Sequence, residues 1–113
     1  MSVEEPYEVL RAQSAEDQLR DVVLYLRDVS GSSGPALRLL DRVERAMTLL
    51  SSFPRLGVVP GSPALAQRGY RMLVVGEYLV IYRVDDELRR VIVAGFFYKS
   101  RDYEWLLPKG EAE

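Results

Sequence analysis

The chain has 113 residues, a net charge of −2, and neither cysteine nor histidine. Its length suits a single domain, spanning residues 1–113, with a core of its own. The missing cysteine excludes disulfides and thiolate metal sites, and the missing histidine removes the usual general base and every Ser–His or Cys–His arrangement.

No apolar run approaches the length of a membrane span, and MSVEEPYEV lacks a basic-then-apolar leader pattern, so a cytoplasmic protein is expected. A small negative net charge argues against binding nucleic acid by bulk electrostatics. The charge is unevenly spread, however. Arg68, Arg71, Arg83, Arg89, Arg90, Lys99 and Arg101 outnumber the acids between them, while Glu4, Glu5, Glu111 and Glu113 lie in short polar tails. The ordered body is expected over about 7–107.

In chain order, Tyr7-Glu8-Val9-Leu10 alternates as a short strand does. Ser14 reads as a helix N-cap with Asp17 as a weak capping-box partner, followed by Leu19, Val22, Val23, Leu26 and Val29 at helical spacing. Tyr25 falls at the edge of that stripe. The breaker SGSSGP precedes a second helix over about 35–51, with Ala36, Leu39, Leu40, Val43, Met47 and Leu50 facing a core and Arg38, Asp41, Arg42 and Arg45 outside. A short connection predicts an antiparallel helical hairpin. Phe53-Pro54 ends it, and the proline- and glycine-rich stretch 54–69 reads as loop. Three strands follow: YRMLVV (70–75), YLVIYRV (78–84) and RVIVAGFF (90–97). The connections Gly76-Glu77 and Asp85 to Leu88 imply antiparallel hairpins. A helical segment is expected over 103–107, with Trp105 anchoring the tail.

These elements predict an α+β fold: an N-terminal strand and a helical hairpin packed on one face of a mainly antiparallel sheet that ends in a three-stranded meander. Side chains alternate along each strand. Met72, Val74, Val80, Tyr82 and Val84 are assigned to the core, because the opposite set carries Arg71 and Arg83, which burial under helices would leave unpartnered. Leu73, Val75, Leu79 and Ile81 would then join the two arginines on an open, half-apolar surface of the kind that marks binding. Asp85, Asp86 and Glu87 form no metal site by this reading, since consecutive acids in a hairpin connection are turn formers. No cofactor is expected.

The order and spacing of the helical hairpin, the Phe-Pro loop, GYRMLVVGEYLVIYRVDD and the KSRDYEWLL tail resemble the RelE/ParE superfamily of toxins from bacterial type II toxin–antitoxin modules, including plasmid-stabilisation systems. The likeness covers about 7–107, and its most specific part is Arg71, Tyr78, the Ile81–Val84 strand and Arg101-Asp102-Tyr103. The resemblance implies a growth inhibitor held by a cognate antitoxin, touching operator DNA only through that antitoxin, with no membrane partner. It implies two targets. RelE-like members cut mRNA on the ribosome without a metal, using basic residues and a tyrosine; the positions that match are Arg71, Arg83, Lys99 or Arg101, and Tyr103. ParE-like members inhibit DNA gyrase without a catalytic site. Leu73 and Leu79 stand where the nuclease pattern has basic residues. Losing one phosphate-stabilising donor costs on the order of 3 kcal/mol in a transition state, so the expectation leans to the ParE-like activity. The ribosome-dependent mRNA endoribonuclease and a degenerate antitoxin-binding module stand as alternatives. The residues expected to meet target or antitoxin are Arg71, Leu73, Leu79, Ile81, Arg83, Tyr98, Lys99 and Arg101.

Overall fold

The computed structural model describes residues 5–99. Its elements are β1 (Glu8–Arg11), α1 (Gln13–Ser30), α2 (Gly34–Ser52), α3 (Pro63–Gln67), β2 (Tyr70–Val75), β3 (Tyr78–Asp85) and β4 (Arg90–Tyr98). The sheet has the order β1-β4-β3-β2. β1 runs parallel to β4, and the other neighbours are antiparallel. The expected α+β architecture is present. The helical segment expected over 103–107, with Trp105, lies outside the described residues.

α1 ends at Gly31, whose backbone is left-handed (φ 71°) and whose N–H returns to the Arg27 carbonyl. Glycine adopts that conformation without a Cβ penalty. Pro35 occupies the first turn of α2, where no N–H is needed. The hairpin lays Leu19, Leu39, Val43, Ala46, Met47 and Leu50 on the sheet, where they meet Val75, Val80, Tyr82, Val91, Val93 and Phe96. Tyr25 is not part of that contact: it is 63% exposed.

Ser14 does not cap α1. The N-cap is Ala12, without a side-chain bond, and the Ser14 hydroxyl donates to the Ala94 carbonyl at 2.9 Å. That carbonyl lies at a bulge. Ile81 pairs with Gly95 and Tyr82 with Val93, leaving Ala94 as the extra residue. A bulge inverts the alternation of its strand. Val91 and Val93 face the helices before it and Phe96 does so after it, while Phe97 turns to the other side. The Gln18 side-chain oxygen accepts the Phe96 N–H at 2.8 Å, so α1 closes the strand edge where β1 has ended.

The stretch 54–69 is more ordered than its composition suggests. Val58 and Met72 exchange both backbone hydrogen bonds at 2.8 Å, and α3 starts at Ser62, whose hydroxyl accepts the Leu65 N–H. Leu65, Tyr70, Leu79, Ile81, Ala94 and Phe97 form a second small core on the sheet face away from the hairpin.

Candidate functional site

The turn between β2 and β3 decides which expected site residues can meet. Two residues, Gly76 and Glu77, connect the strands, so Val75 pairs with Tyr78, Arg71 with Tyr82 and Tyr70 with Arg83. Cross-strand partners share a face. Arg71 and Leu73 therefore lie on the side of Val80 and Tyr82, and Arg83 lies on the other. This corrects the face assignment of β2: Met72 belongs to the second core, Val74 is 60% exposed, and Leu73 and Val75 are the residues that pack toward the helices. Arg71 can share the helix-facing side because it sits at the strand end beside the 54–58 segment. There its Nε donates to the Gly57 carbonyl at 3.1 Å and its Nη2 to the Arg55 carbonyl at 3.3 Å.

The remaining candidates are also apart. Arg83 lies over the Tyr70 ring at 5.8 Å, with Arg68 over the same ring at 5.1 Å. Lys99 is at the opposite end of β3, where its N–H donates to the Glu77 carbonyl and its Nζ stands 3.8 Å from the Glu77 carboxylate. From Tyr82, opposite Arg71, to Tyr78, opposite Tyr98, is four strand residues, about 13 Å. Arg101 and Tyr103 lie outside the described residues. Leu79 and Ile81 do not form an open platform: their exposures are 7% and 0%, and α3 contributes Leu65 to the same cluster.

Tyr78 and Tyr98 make the nearest approach to an aromatic site. Tyr78 stacks on Phe96 with centroids 5.0 Å apart and meets Tyr98 edge-on at 5.7 Å. Burial, aided by Tyr98, Tyr25 and Glu77, raises the Tyr78 pKa, so its hydroxyl stays protonated at neutral pH.

The acidic β3–β4 connection is structural. The Asp85 carboxylate caps the Leu88 N–H at 3.1 Å. Asp86 accepts the Tyr7 hydroxyl at 2.6 Å and both ends of the Arg55 guanidinium at 3.2 and 2.6 Å. The Arg55 hydrogen bond, followed by that of Tyr7, holds the Asp86 carboxyl below its usual range, while Asp86 raises the Tyr7 hydroxyl. Among the described residues no cluster of acids is placed to hold a metal.

The open surface lies elsewhere, between α2 and the outer edge of β2. A groove of about 320 Å³ there is floored by Ala46, Leu49, Leu56 and Leu73 and rimmed by Arg42 and Arg45. Leu49, Leu56 and Val74 are 47%, 45% and 60% exposed, and Phe53, Val58 and Val59 continue the apolar surface beside it. At Arg42 and Gly76 the groove joins a second hollow of about 230 Å³, lined by Leu26, Pro35, Arg38 and Tyr78. Exposed apolar surface this contiguous marks interaction sites. In the sequence its one mark on α2 is Leu49, which falls outside the core stripe of that helix and so is surplus to packing.

The family model described as ParE toxin of type II toxin–antitoxin system, parDE, matches residues 9–103. Comparison with curated protein sequences gives no match. Among solved structures, the chain is similar to one from the RelBE2 toxin–antitoxin complex of Mycobacterium tuberculosis, at 21% identity over 86% of this chain and 95% of that one, with a TM-score of 0.58. It is similar to a chain of the chromosomal ParDE system from P. aeruginosa, at 14% identity over 84% and 98%, TM-score 0.65. It also resembles an arginine-to-alanine mutant of E. coli toxin RelE in the free state, at 13% identity over 90% and 93%, TM-score 0.62. At such identities the three structures establish a shared fold.

Proposed function

Since the chain belongs to the family of ParE toxins of type II toxin–antitoxin systems, we propose that it arrests growth by binding DNA gyrase in the cytoplasm, without cutting RNA, and that a cognate antitoxin holds it inactive. The observation that carries this reading is the dispersal of the candidate cations among the described residues. The Arg71 guanidinium serves two loop carbonyls, Arg83 is on the opposite face, and Lys99 is at the far end of the sheet. Stabilising a phosphorane-like transition state needs several donors aimed at one point. Leu73 and Leu79 supply none. A gyrase inhibitor needs surface rather than convergent donors, and the α2–β2 groove offers it.

The antitoxin is proposed by analogy with the RelBE2 and ParDE neighbours, whose descriptions are of toxin–antitoxin assemblies. The fold shared with RelE favours a second reading, a ribosome-dependent mRNA endoribonuclease using Arg71, Arg83, Lys99 or Arg101, and Tyr103.

Expression of the chain alone separates these readings. Under gyrase inhibition, growth stops, plasmid from the cells loses negative supercoiling and primer extension shows no new transcript ends. Codon-positioned ends with unchanged supercoiling would establish the nuclease. Undisturbed growth would leave neither.

A further inference from the structure

Arg38 and Arg42 carry charge that α2 does not offset. Arg11, Arg20, Arg45, Arg55 and Arg90 each meet a carboxylate at 2.6–3.2 Å. Among the described residues Arg38 and Arg42 meet none, and the acid between them, Asp41, pairs with Arg45 at 2.9 Å. Residues four apart on a helix share a face, and two like charges there destabilise it. An anion held between the guanidinia would reverse that cost.

Both side chains line a hollow of about 230 Å³ between the helical hairpin and the β2–β3 turn. The Arg42 Nη1 lies 3.0 Å from where a Cβ on Gly76 would stand, and the Arg38 Nη1 lies 3.4 Å from where one on Gly34 would stand. Gly76 is left-handed (φ 61°), a conformation that favours glycine and so keeps that space bare. Tyr78 lines the same hollow. Its hydroxyl stays protonated at neutral pH and has no hydrogen-bond partner among the described residues, so it offers a third donor. Glu77 also reaches the hollow, but its carboxylate is 3.8 Å from the Lys99 Nζ. The remaining wall, Leu26, Pro35 and Leu39, is apolar.

Guanidinium forks match the oxygens of carboxylates and phosphates. A phosphate ester presents three acceptor oxygens and close to two charges at neutral pH, which suits two guanidinia and a hydroxyl better than the single charge of a carboxylate. The hollow is also larger than that group, equal to the share of about eight waters, and its apolar wall suits an organic part. We propose that Arg38, Arg42 and Tyr78 bind the phosphate of a small phosphate monoester whose sugar-sized body rests against Leu26 and Leu39. The site does not rest on the toxin reading.

The probes are ribose-5-phosphate, ribose and inorganic phosphate, titrated into the full chain by calorimetry at low salt, with thermal melts in parallel. Ribose-5-phosphate is expected to bind, to raise the melting temperature and to weaken as salt rises. It should bind about tenfold more tightly than inorganic phosphate, and ribose should not bind. Arg38→Gln/Arg42→Gln should abolish binding while melting no lower than the unliganded parent, because no ion pair is lost. Tyr78→Phe should weaken binding about tenfold. No binding of the ester, equal binding of ribose or of inorganic phosphate, or full binding by the double variant overturns the proposal. So would a chain indifferent to ribose-5-phosphate that takes a single-stranded DNA oligonucleotide at the same arginines, because a nucleic-acid backbone would then be the occupant. A chain that binds the ester but neither arrests growth nor inhibits gyrase refutes the toxin reading and leaves the phosphate site standing.

Discussion

The Tyr82 hydroxyl, buried under the helical hairpin, accepts the Gly57 N–H at 2.8 Å. This bond stitches the 54–58 segment to the middle of the sheet, and Gly57 approaches so closely that a Cβ on it would stand 2.5 Å from the Met72 carbonyl oxygen and 2.8 Å from the same Tyr82 hydroxyl. Gly57→Ala should therefore destabilise by about 2–3 kcal/mol, as overpacked sites do, and Tyr82→Phe by about 1–2 kcal/mol, because it strands a buried N–H. Urea titration of the two variants measures both. A Gly57→Ala protein as stable as the parent would mean that the segment does not pack as described.

Arg71 spends its donors on the Gly57 and Arg55 carbonyls. Arg71→Ala should lower stability by about 1 kcal/mol, while under the proposed function the folded variant, assayed well below its melting temperature, should inhibit gyrase to the same extent as the parent. Arg71→Lys should not restore stability, since an ammonium cannot span two carbonyls as a guanidinium does. Inhibition lost at unchanged melting temperature would give Arg71 a role at the target.

The Tyr7–Asp86–Arg55 clasp joins the chain start, the segment after α2 and the β3–β4 turn. Asp86 has a lowered folded pKa, so its contribution is fully present above the ordinary aspartate value, about 3.9, and is lost as pH falls through the lower folded value. Tyr7 is raised, so its contribution is present below about 10 and is lost as pH rises through the higher folded value. Melting temperatures of the parent and Asp86→Asn should differ at pH 7 and converge in strong acid. A constant gap down to acid pH would show that the carboxylate charge plays no part.

Ser14 and Gln18 hold the β4 bulge from α1. Gln18→Ala leaves the part-buried Phe96 N–H without its acceptor and should cost about 1–2 kcal/mol. Hydrogen exchange at Phe96 should quicken more than at Val91, which lies beyond the bulge. Equal acceleration at both would point to global loosening instead.

The hydrophobic periods and turn signals made the architecture legible. The second helix and the three strands of the meander lie within a residue of their expected bounds, and the cap of the first helix, Ala12, stands two residues before the expected cap at Ser14, because periods of 3.6 and 2 are local properties while the cap is not. α3 was missed, although Ser62-Pro63 is a cap followed by a proline suited to a first helical turn; five residues are too few to show a period. Ser14 was misread as a cap because its partner, Ala94, is 80 residues away. The face of β2 could have been read correctly. A two-residue connection fixes Val75 opposite Tyr78, which puts Arg71 and Arg83 on opposite faces whatever their charge. The cost of burying charge points the other way, but backbone carbonyls of the 54–58 segment receive Arg71, and their place cannot be foreseen from sequence. The α2–β2 groove was hidden for a related reason: it is assembled from Leu49, Leu56 and Val74, which only the fold brings together.

Gel-resolved supercoiling of relaxed plasmid by purified DNA gyrase, with the chain titrated in, decides whether gyrase is the target. Dose-dependent loss of supercoiling is expected from the parent chain, undiminished in folded Arg71→Ala. Full supercoiling at every dose, from a chain that still arrests growth and leaves codon-positioned cuts in translated mRNA, would contradict it.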